Sequence, residues 1–81
     1  MENRQPTTAR NRSAEALRDA RAALGLSITE AARRVGVSTQ TLRRYEREGL
    51  TGRVVFSRFM AVSRVYGIGS RELYGMIKQA V

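Results

Sequence analysis

The sequence contains no cysteine, no histidine and no tryptophan, and only one proline among its 81 residues. Without cysteine there is no disulfide framework or thiolate metal site, and without histidine the commonest metal ligand and general base is missing. We therefore expect no enzyme activity, no cofactor, no metal and no small-molecule ligand. No apolar run reaches the ~18 residues of a membrane span, and the N-terminus lacks the hydrophobic stretch of a signal peptide. These absences predict a soluble, cytoplasmic protein without a membrane partner.

Acidic residues are also scarce. Seven Asp and Glu stand against 15 Lys and Arg, which gives a formal net charge of +8, while 42% of the residues are hydrophobic. A chain of this composition can bury a small core, and its positive surface favours a polyanionic partner. Residues 1–12, MENRQPTTARNR, have no hydrophobic periodicity, and we interpret them as a flexible basic arm. The arm either orders in a DNA groove or is a plain disordered tail. Residues 13–81 then form one domain.

The central stretch from Ser27 to Glu46, SITEAARRVGVSTQTLRRYE, is typical of two short helices joined by a tight turn. Ser27 caps the first helix with Glu30 in the capping-box position, Gly36 ends it, and Ser38 caps the second. The apolar positions of this stretch recur at helical spacings, with small Ala32 where the two helices cross. They are Ile28, Ala31, Ala32, Val35, Val37, Leu42 and Tyr45. This pattern indicates a helix-turn-helix, and an αα-hairpin of a small bundle is the alternative.

Helices are also predicted on either side of this stretch. Ser13 caps a helix over residues 14–24 that buries Leu17, Ala20 and Leu24. Residues 47–53 form a loop, and helix resumes near Val55. The core stripe of that helix is Phe56, Phe59, Met60, Ser63 and Tyr66, with Val62 and Val65 beside it. Ser70 caps a last helix that extends to about Gln79 and carries Leu73, Met76 and Ile77. The fold class is therefore all-α, a compact bundle of five short helices.

Residues 17–50 and 56–73 resemble the phage repressor and Cro helix-turn-helix family. The resemblance lies in GLS before the second helix, Ala32, the GVS turn at 36–38, Glu46, and YGI at 66–68. It implies a sequence-specific transcriptional regulator, a phage-type repressor or Cro-like protein, that binds double-stranded DNA operators as a homodimer. Two features depart from the family: Ile28 replaces the usual Gln, and the loop after Glu46 is about two residues longer and lacks the usual Pro.

The resemblance also implies residue roles. Base contacts are assigned to Thr39, Gln40, Arg43 and Arg44, at the start of the recognition helix and one turn on. Backbone contacts are assigned to Ser27, Thr29, Ser38, Thr41, Arg47, Thr51 and Arg53. For Ser27 and Ser38, helix capping alone is the alternative. The family pairs the positions of Arg21 and Glu46 in a structural ion pair. The predicted dimer surface is the last helix with the preceding loop, because Leu73, Tyr74, Met76 and Ile77 offer more apolar area than so short a helix can bury within one subunit. The alternative places Leu73 and Ile77 in the core, which we expect for Leu73.

The run from Thr41 to Leu50, TLRRYEREGL, also resembles the mercury-resistance-regulator family and related small excisionases. Those domains follow the helix-turn-helix with a winged β-hairpin, whereas this sequence has a helix before it and no hairpin signal after it. The second interpretation of function is accordingly an excisionase, which directs recombination, or an architectural protein that bends DNA.

Overall fold

A computed structural model of the protein describes residues 12–78, and within that range the chain forms five α-helices and no strand. The helices are α1 (Arg12–Leu24), α2 (Ile28–Val35), α3 (Thr39–Glu48), α4 (Phe56–Tyr66) and α5 (Ser70–Lys78). The predicted all-α bundle is confirmed. The winged hairpin of the competing resemblance has no counterpart in residues 12–78. The predicted arm lies outside the described residues except for Arg12, which belongs to α1.

The start of α1 differs from the prediction. Because the helix already includes Arg12, Ser13 lies within its first turn and is not the cap residue. The Ser13 side chain is fully buried, and its Oγ accepts a hydrogen bond from the backbone N–H of Leu50 at 2.9 Å. Ser13 therefore joins α1 to the loop after α3, which no local capping pattern predicts.

The end of α1 also departs from the predicted core stripe. Leu17 is fully buried, but Leu24 is 51% exposed. Leu24 is the last residue of the helix, and Gly25 then turns the chain with a φ of 70°. Leu26 packs against the core instead. The buried stripe of α1 thus ends before Leu24, although the spacing alone places Leu17 and Leu24 on one face.

Helices α2 and α3 form the predicted helix-turn-helix. Ser27 Oγ accepts from the N–H of Glu30 and Ser38 Oγ from the N–H of Thr41, each at 3.0 Å, so both predicted caps are confirmed. Gly36 adopts the left-handed conformation at a φ of 92°, where a side chain would be strained. Ala31, Ala32, Val35, Leu42 and Tyr45 are buried as predicted. Helix α3 continues two residues past Glu46, because Gly49 is the first residue that interrupts it.

The buried face of α4 is narrower than predicted. Phe59 and Val62 are buried, whereas Phe56 is 76% and Met60 37% exposed. Phe56 begins the helix, one turn before Phe59, and no described element covers it. The assignment of Phe56 and Met60 to the core stripe is therefore wrong. Tyr66 is buried, as predicted.

Helix α5 closes the core. Ser70 is its first residue and Gly69 O accepts from the N–H of Leu73 at 2.9 Å, so the cap lies one residue earlier than predicted. Leu73 and Ile77 are both buried in the core. The core position expected for Leu73 is confirmed, whereas the assignment of Ile77 to the dimer surface is wrong. Gln79, the predicted helix end, lies outside the described residues. No helix within residues 12–78 is long and apolar enough to cross a membrane.

Candidate nucleic-acid interface

The two faces of helix α3 differ in burial and in the side chains that they carry. Leu42, Tyr45 and Glu46 face inward and are buried. The outward side chains are polar or basic, because Gln40, Arg43, Arg44 and Arg47 are all exposed and Thr39 is half-buried at the first turn. An exposed helix face that carries guanidinium and amide groups can hydrogen-bond to base edges in a DNA major groove.

Glu46 is the buried acid of this helix, and side chains of two other helices donate hydrogen bonds to its carboxylate. Arg21 of α1 donates from Nε to Oε2 at 2.7 Å and from Nη2 to Oε1 at 3.0 Å. Tyr66 of α4 donates its hydroxyl to Oε2 at 2.6 Å. The hydrogen bonds to Glu46 raise the pKa of Arg21 above its ordinary value, so the guanidinium stays charged. Burial, followed by the bond to Glu46, raises the pKa of Tyr66 far above its usual range, so the hydroxyl stays a donor.

Arg18 and Arg21 also bind backbone carbonyls around the same site. Arg18 Nη1 donates to the carbonyl of Glu46, and Arg21 Nη1 donates to the carbonyl of Leu26 at 3.0 Å. Cations at a helix C-terminus are favourable because the unpaired carbonyls there carry partial negative charge. The last turn of α3 is therefore fixed to α1. The role of Arg18 was not predicted, although it lies three residues before Arg21 and thus on the same helical face.

Arginines flank the outward face of α3 on both sides. On one side Arg43 and Arg47, four residues apart, share a hollow with Arg18. On the other side Arg44 shares a hollow with Arg53 and Arg58. This geometry divides the two predicted base-reading arginines between opposite edges of the helix.

The second hollow contains an arginine that the sequence interpretation missed. Arg58, in the first turn of α4, is half-buried and lies with Arg44 and Arg53. The Arg44 guanidinium lies 5.8 Å from the centroid of the Tyr45 ring, close enough for a cation–π contact. Thr51 Oγ1 accepts from the N–H of Arg53 at 3.2 Å, which shapes the loop beside them. The sequence did contain a signal for this role, because Arg58 lies in the first turn of a predicted helix that directly follows the loop containing Arg53.

Several residues assigned to phosphate contacts also have bonds within the protein. The Ser27 and Ser38 hydroxyls cap their helices, and Ser38 Oγ also donates to Thr41 Oγ1 at 3.0 Å. Arg47 pairs with exposed Glu48 at 3.0 Å, which at an exposed site contributes little energy. Thr29 is exposed. These residues all lie at the two helix N-termini or at the end of α3.

The outer face of α2 is less positive than that of α3. Glu30 accepts hydrogen bonds from Arg33 and from Arg34, the latter at 2.8 Å. The bonds from Arg33, and then those from Arg34, lower the pKa of Glu30 to about 2. Glu30 therefore stays charged at neutral pH and offsets part of the charge of both arginines. Free positive charge accordingly concentrates on α3 and the loop that follows.

A helix-turn-helix with a basic second helix defines a class of DNA-binding domain. The family model described as helix-turn-helix, of the Cro and C1 type, matches residues 17–73, well over half of the chain. The chain belongs to this family, as its sequence pattern predicts, and is a DNA-binding transcriptional regulator of the Cro and C1 kind. Searches of curated proteins and of solved structures each return no match.

Proposed function

We propose that this regulator is a phage-type repressor or Cro-like protein that binds operator half-sites as a homodimer. The observation that carries the proposal is the division of charge on α3. Its outer face presents Gln40, Arg43, Arg44 and Arg47 to solvent, while Glu46 turns inward to Arg21. A helix packed only for structure has no need of such an outer face.

In this proposal α3 enters the major groove, with the first turn closest to the bases. Gln40 can pair with both N6 and N7 of adenine, and Arg44 can bind O6 and N7 of guanine. Thr39 and Arg43 complete the base-reading set. We assign contacts with the DNA backbone to Thr29, Thr41, Arg47, Thr51, Arg53 and the capping Ser27 and Ser38. We add Arg58 to this set because it shares a hollow with Arg44 and Arg53.

A dimer follows from the small reach of one helix. A single recognition helix reads only a few base pairs, and two-fold pairing places two half-sites about one turn, ~34 Å, apart. Protection mapping on the DNA that encodes the gene tests the proposal most directly. We expect a two-fold symmetric footprint that overlaps a promoter. Protected direct repeats with bent DNA would favour an excisionase or architectural protein instead.

Binding is expected to depend strongly on salt. If a dimer neutralises about 6 phosphates, the logarithm of the association constant should fall with the logarithm of salt concentration at a slope of about −5. Filter binding or fluorescence anisotropy at a series of salt concentrations measures this slope. A slope shallower than about −2 would show that the arginines of α3 and the following loop do not face DNA.

Arg44→Ala is expected to relax base preference at one position of each half-site by about 1–3 kcal/mol without unfolding the domain. Arg44 is exposed, so its loss leaves no buried group unpaired. Affinities for a panel of single-base operator variants measure the effect, and Gln40→Ala should act in the same way at a different position. Arg47→Ala is the matched control, because an arginine that contacts phosphate should weaken binding to all sequences alike. Uniform weakening by Arg44→Ala would reassign Arg44 to the backbone.

A further inference from the structure

Large apolar side chains on the described surface cluster at one place. Leu24, Val55, Phe56, Met60 and Tyr74 are the exposed large hydrophobic residues of residues 12–78. Phe56 is 76% and Tyr74 59% exposed, although they belong to different helices. Together with Met60 they line a single groove, whereas Val55 lines the hollow that contains Arg44, Arg53 and Arg58. Contiguous apolar surface of this kind marks an interaction site more often than scattered exposed residues do.

The groove has a volume of about 530 Å³ and lies between the loop at 51–54, α4 and α5. Its lining includes Phe59 and Ile77, which are themselves buried in the core. The groove is therefore continuous with the core, and an apolar side chain placed in it would contact well-packed atoms. Such contact excludes water from Phe56 and Tyr74, which is the main source of favourable free energy in association.

The low charge of the groove indicates what kind of protein surface can bind there. Arg71 is the one charged residue among the side chains that line it, whereas the protein as a whole carries a formal charge of +8. Two copies of so basic a chain repel each other when their arginine-bearing faces meet. At the groove, by contrast, two copies can approach through a nearly uncharged surface. An acidic partner would instead be drawn to the faces where arginines concentrate.

We propose that the groove binds the same groove of a second copy, with Phe56, Met60 and Tyr74 of each subunit packed against the other in a two-fold contact. This inference rests on the proposed function and names its dimer surface. It keeps Tyr74 of the predicted dimer surface and adds Phe56 and Met60 of α4, whereas Leu73 belongs to the core.

The exposed area predicts how strong this dimer is. Aromatic side chains bury roughly 150–250 Å² each, so the exposed parts of Phe56, Met60 and Tyr74 amount to on the order of 300 Å² per copy. A stable interface commonly buries about 800 Å² per partner. The contact alone is therefore weak, and dimers form mainly when two copies occupy adjacent half-sites, because DNA raises their effective concentration.

The position of the groove suits this role. Residues 49–55 connect α3 directly to α4, so the groove lies beside the C-terminal end of the recognition helix. The domain measures 36 × 23 × 21 Å, which is the scale of the ~34 Å between half-sites one turn apart. Two subunits in contact are therefore of a size that fits two adjacent half-sites.

Phe56→Asp tests the proposal, with Leu24→Asp as its matched control. Both replace an exposed apolar residue with the same charge, and Asp in the first turn of α4 is favourable for the helix. Sedimentation velocity over a range of concentrations measures self-association of each chain. Gel-shift titrations on DNA with one half-site and with two measure cooperativity. Circular-dichroism melts check that the variants stay folded, and Met60→Ala provides a milder second variant.

We expect Phe56→Asp to weaken self-association and cooperative binding to paired half-sites at least about tenfold relative to Leu24→Asp. Affinity for one half-site, measured for each variant, separates any repulsion between the new carboxylate and DNA from the loss of cooperativity. Met60→Ala should reduce cooperativity by a smaller factor. Equal cooperativity in Phe56→Asp and Leu24→Asp would overturn the groove as the dimer surface while leaving operator binding intact. The proposal would also be overturned if the wild-type chain stays monomeric and binds paired half-sites independently. That result is expected if another protein binds in the groove. If the chain self-associates, Phe56→Asp abolishes this self-association, and the chain binds DNA without sequence preference, then the dimer surface would be supported and only the proposed function would be contradicted.

Discussion

Glu46→Ala is expected to lower the free energy of unfolding by about 3 kcal/mol, and Arg21→Met by up to about 5 kcal/mol. Glu46 is 5% exposed, so its carboxylate depends on protein donors. Arg21→Met leaves that carboxylate buried with the Tyr66 hydroxyl as its remaining side-chain donor. Arg21 has a quarter of its side chain exposed, so after Glu46→Ala its guanidinium can partly regain water. Thermal or urea melts of the two variants measure the losses.

Graded variants separate this network from ordinary surface pairing. Glu48→Ala is the matched control, because Glu48 is an exposed glutamate of the same helix that pairs with Arg47, and its loss should cost under ~1 kcal/mol. Tyr66→Phe removes one hydrogen bond to the carboxylate and should fall between the two extremes. Losses of only a few tenths of a kcal/mol in both Glu46→Ala and Arg21→Met would show that the ion pair does not stabilise the fold.

In the proposed mode of DNA binding, the network also positions the outer side chains of α3. Base contacts require the outer side chains of α3 to be placed to within a fraction of an ångström. The Glu46 carboxylate binds α1 and α4, and its carbonyl accepts from Arg18, so the end of α3 is held at three points. A domain of this size has a total stability on the order of 5–10 kcal/mol. Loss of the network would therefore both depopulate the folded state and loosen the recognition helix in what remains.

The helix-turn-helix was predictable because its determinants are local. A cap hydroxyl meets an N–H three residues on, and Gly36 needs nothing but its own φ to end α2. The buried stripe through Ala31, Val35 and Leu42 likewise repeats within a few residues. Each of these features is decided inside one turn or one helix, so a pattern in the sequence carries it.

The residues that the sequence analysis missed or misplaced depend instead on contacts between distant parts of the chain. Ser13 meets Leu50 across 37 residues, and Arg58 lies beside Arg44 and Arg53 only after the loop has folded. Phe56 has the spacing of a core residue, yet no described element covers the first turn of α4. Helical periodicity identifies which face a residue occupies but not how far along the helix its neighbours extend. The groove proposed as a dimer surface could therefore not be predicted from the sequence.

Leu17→Ala and Leu24→Ala measure directly how burial differs between two positions on one face of a helix. Both replace a leucine on the same face of α1, seven residues apart, but Leu17 is fully buried and Leu24 is 51% exposed. Leu17→Ala should cost about 2–5 kcal/mol, because it removes buried methyl groups and leaves a cavity. Leu24→Ala should change stability by at most about 0.5 kcal/mol.

Urea melts of the two variants at one temperature give both numbers, and each leucine serves as the control for the other because the same side-chain atoms are removed. Comparable losses would mean that the end of α1 is covered in solution, either by residues outside the described range or by a second copy. A dilution series would separate these two cases, since cover by a second copy disappears as the protein is diluted. A large loss at Leu17 alone would establish that the core does not extend to the last residue of α1, which leaves Leu24 as the apolar control outside the proposed dimer groove.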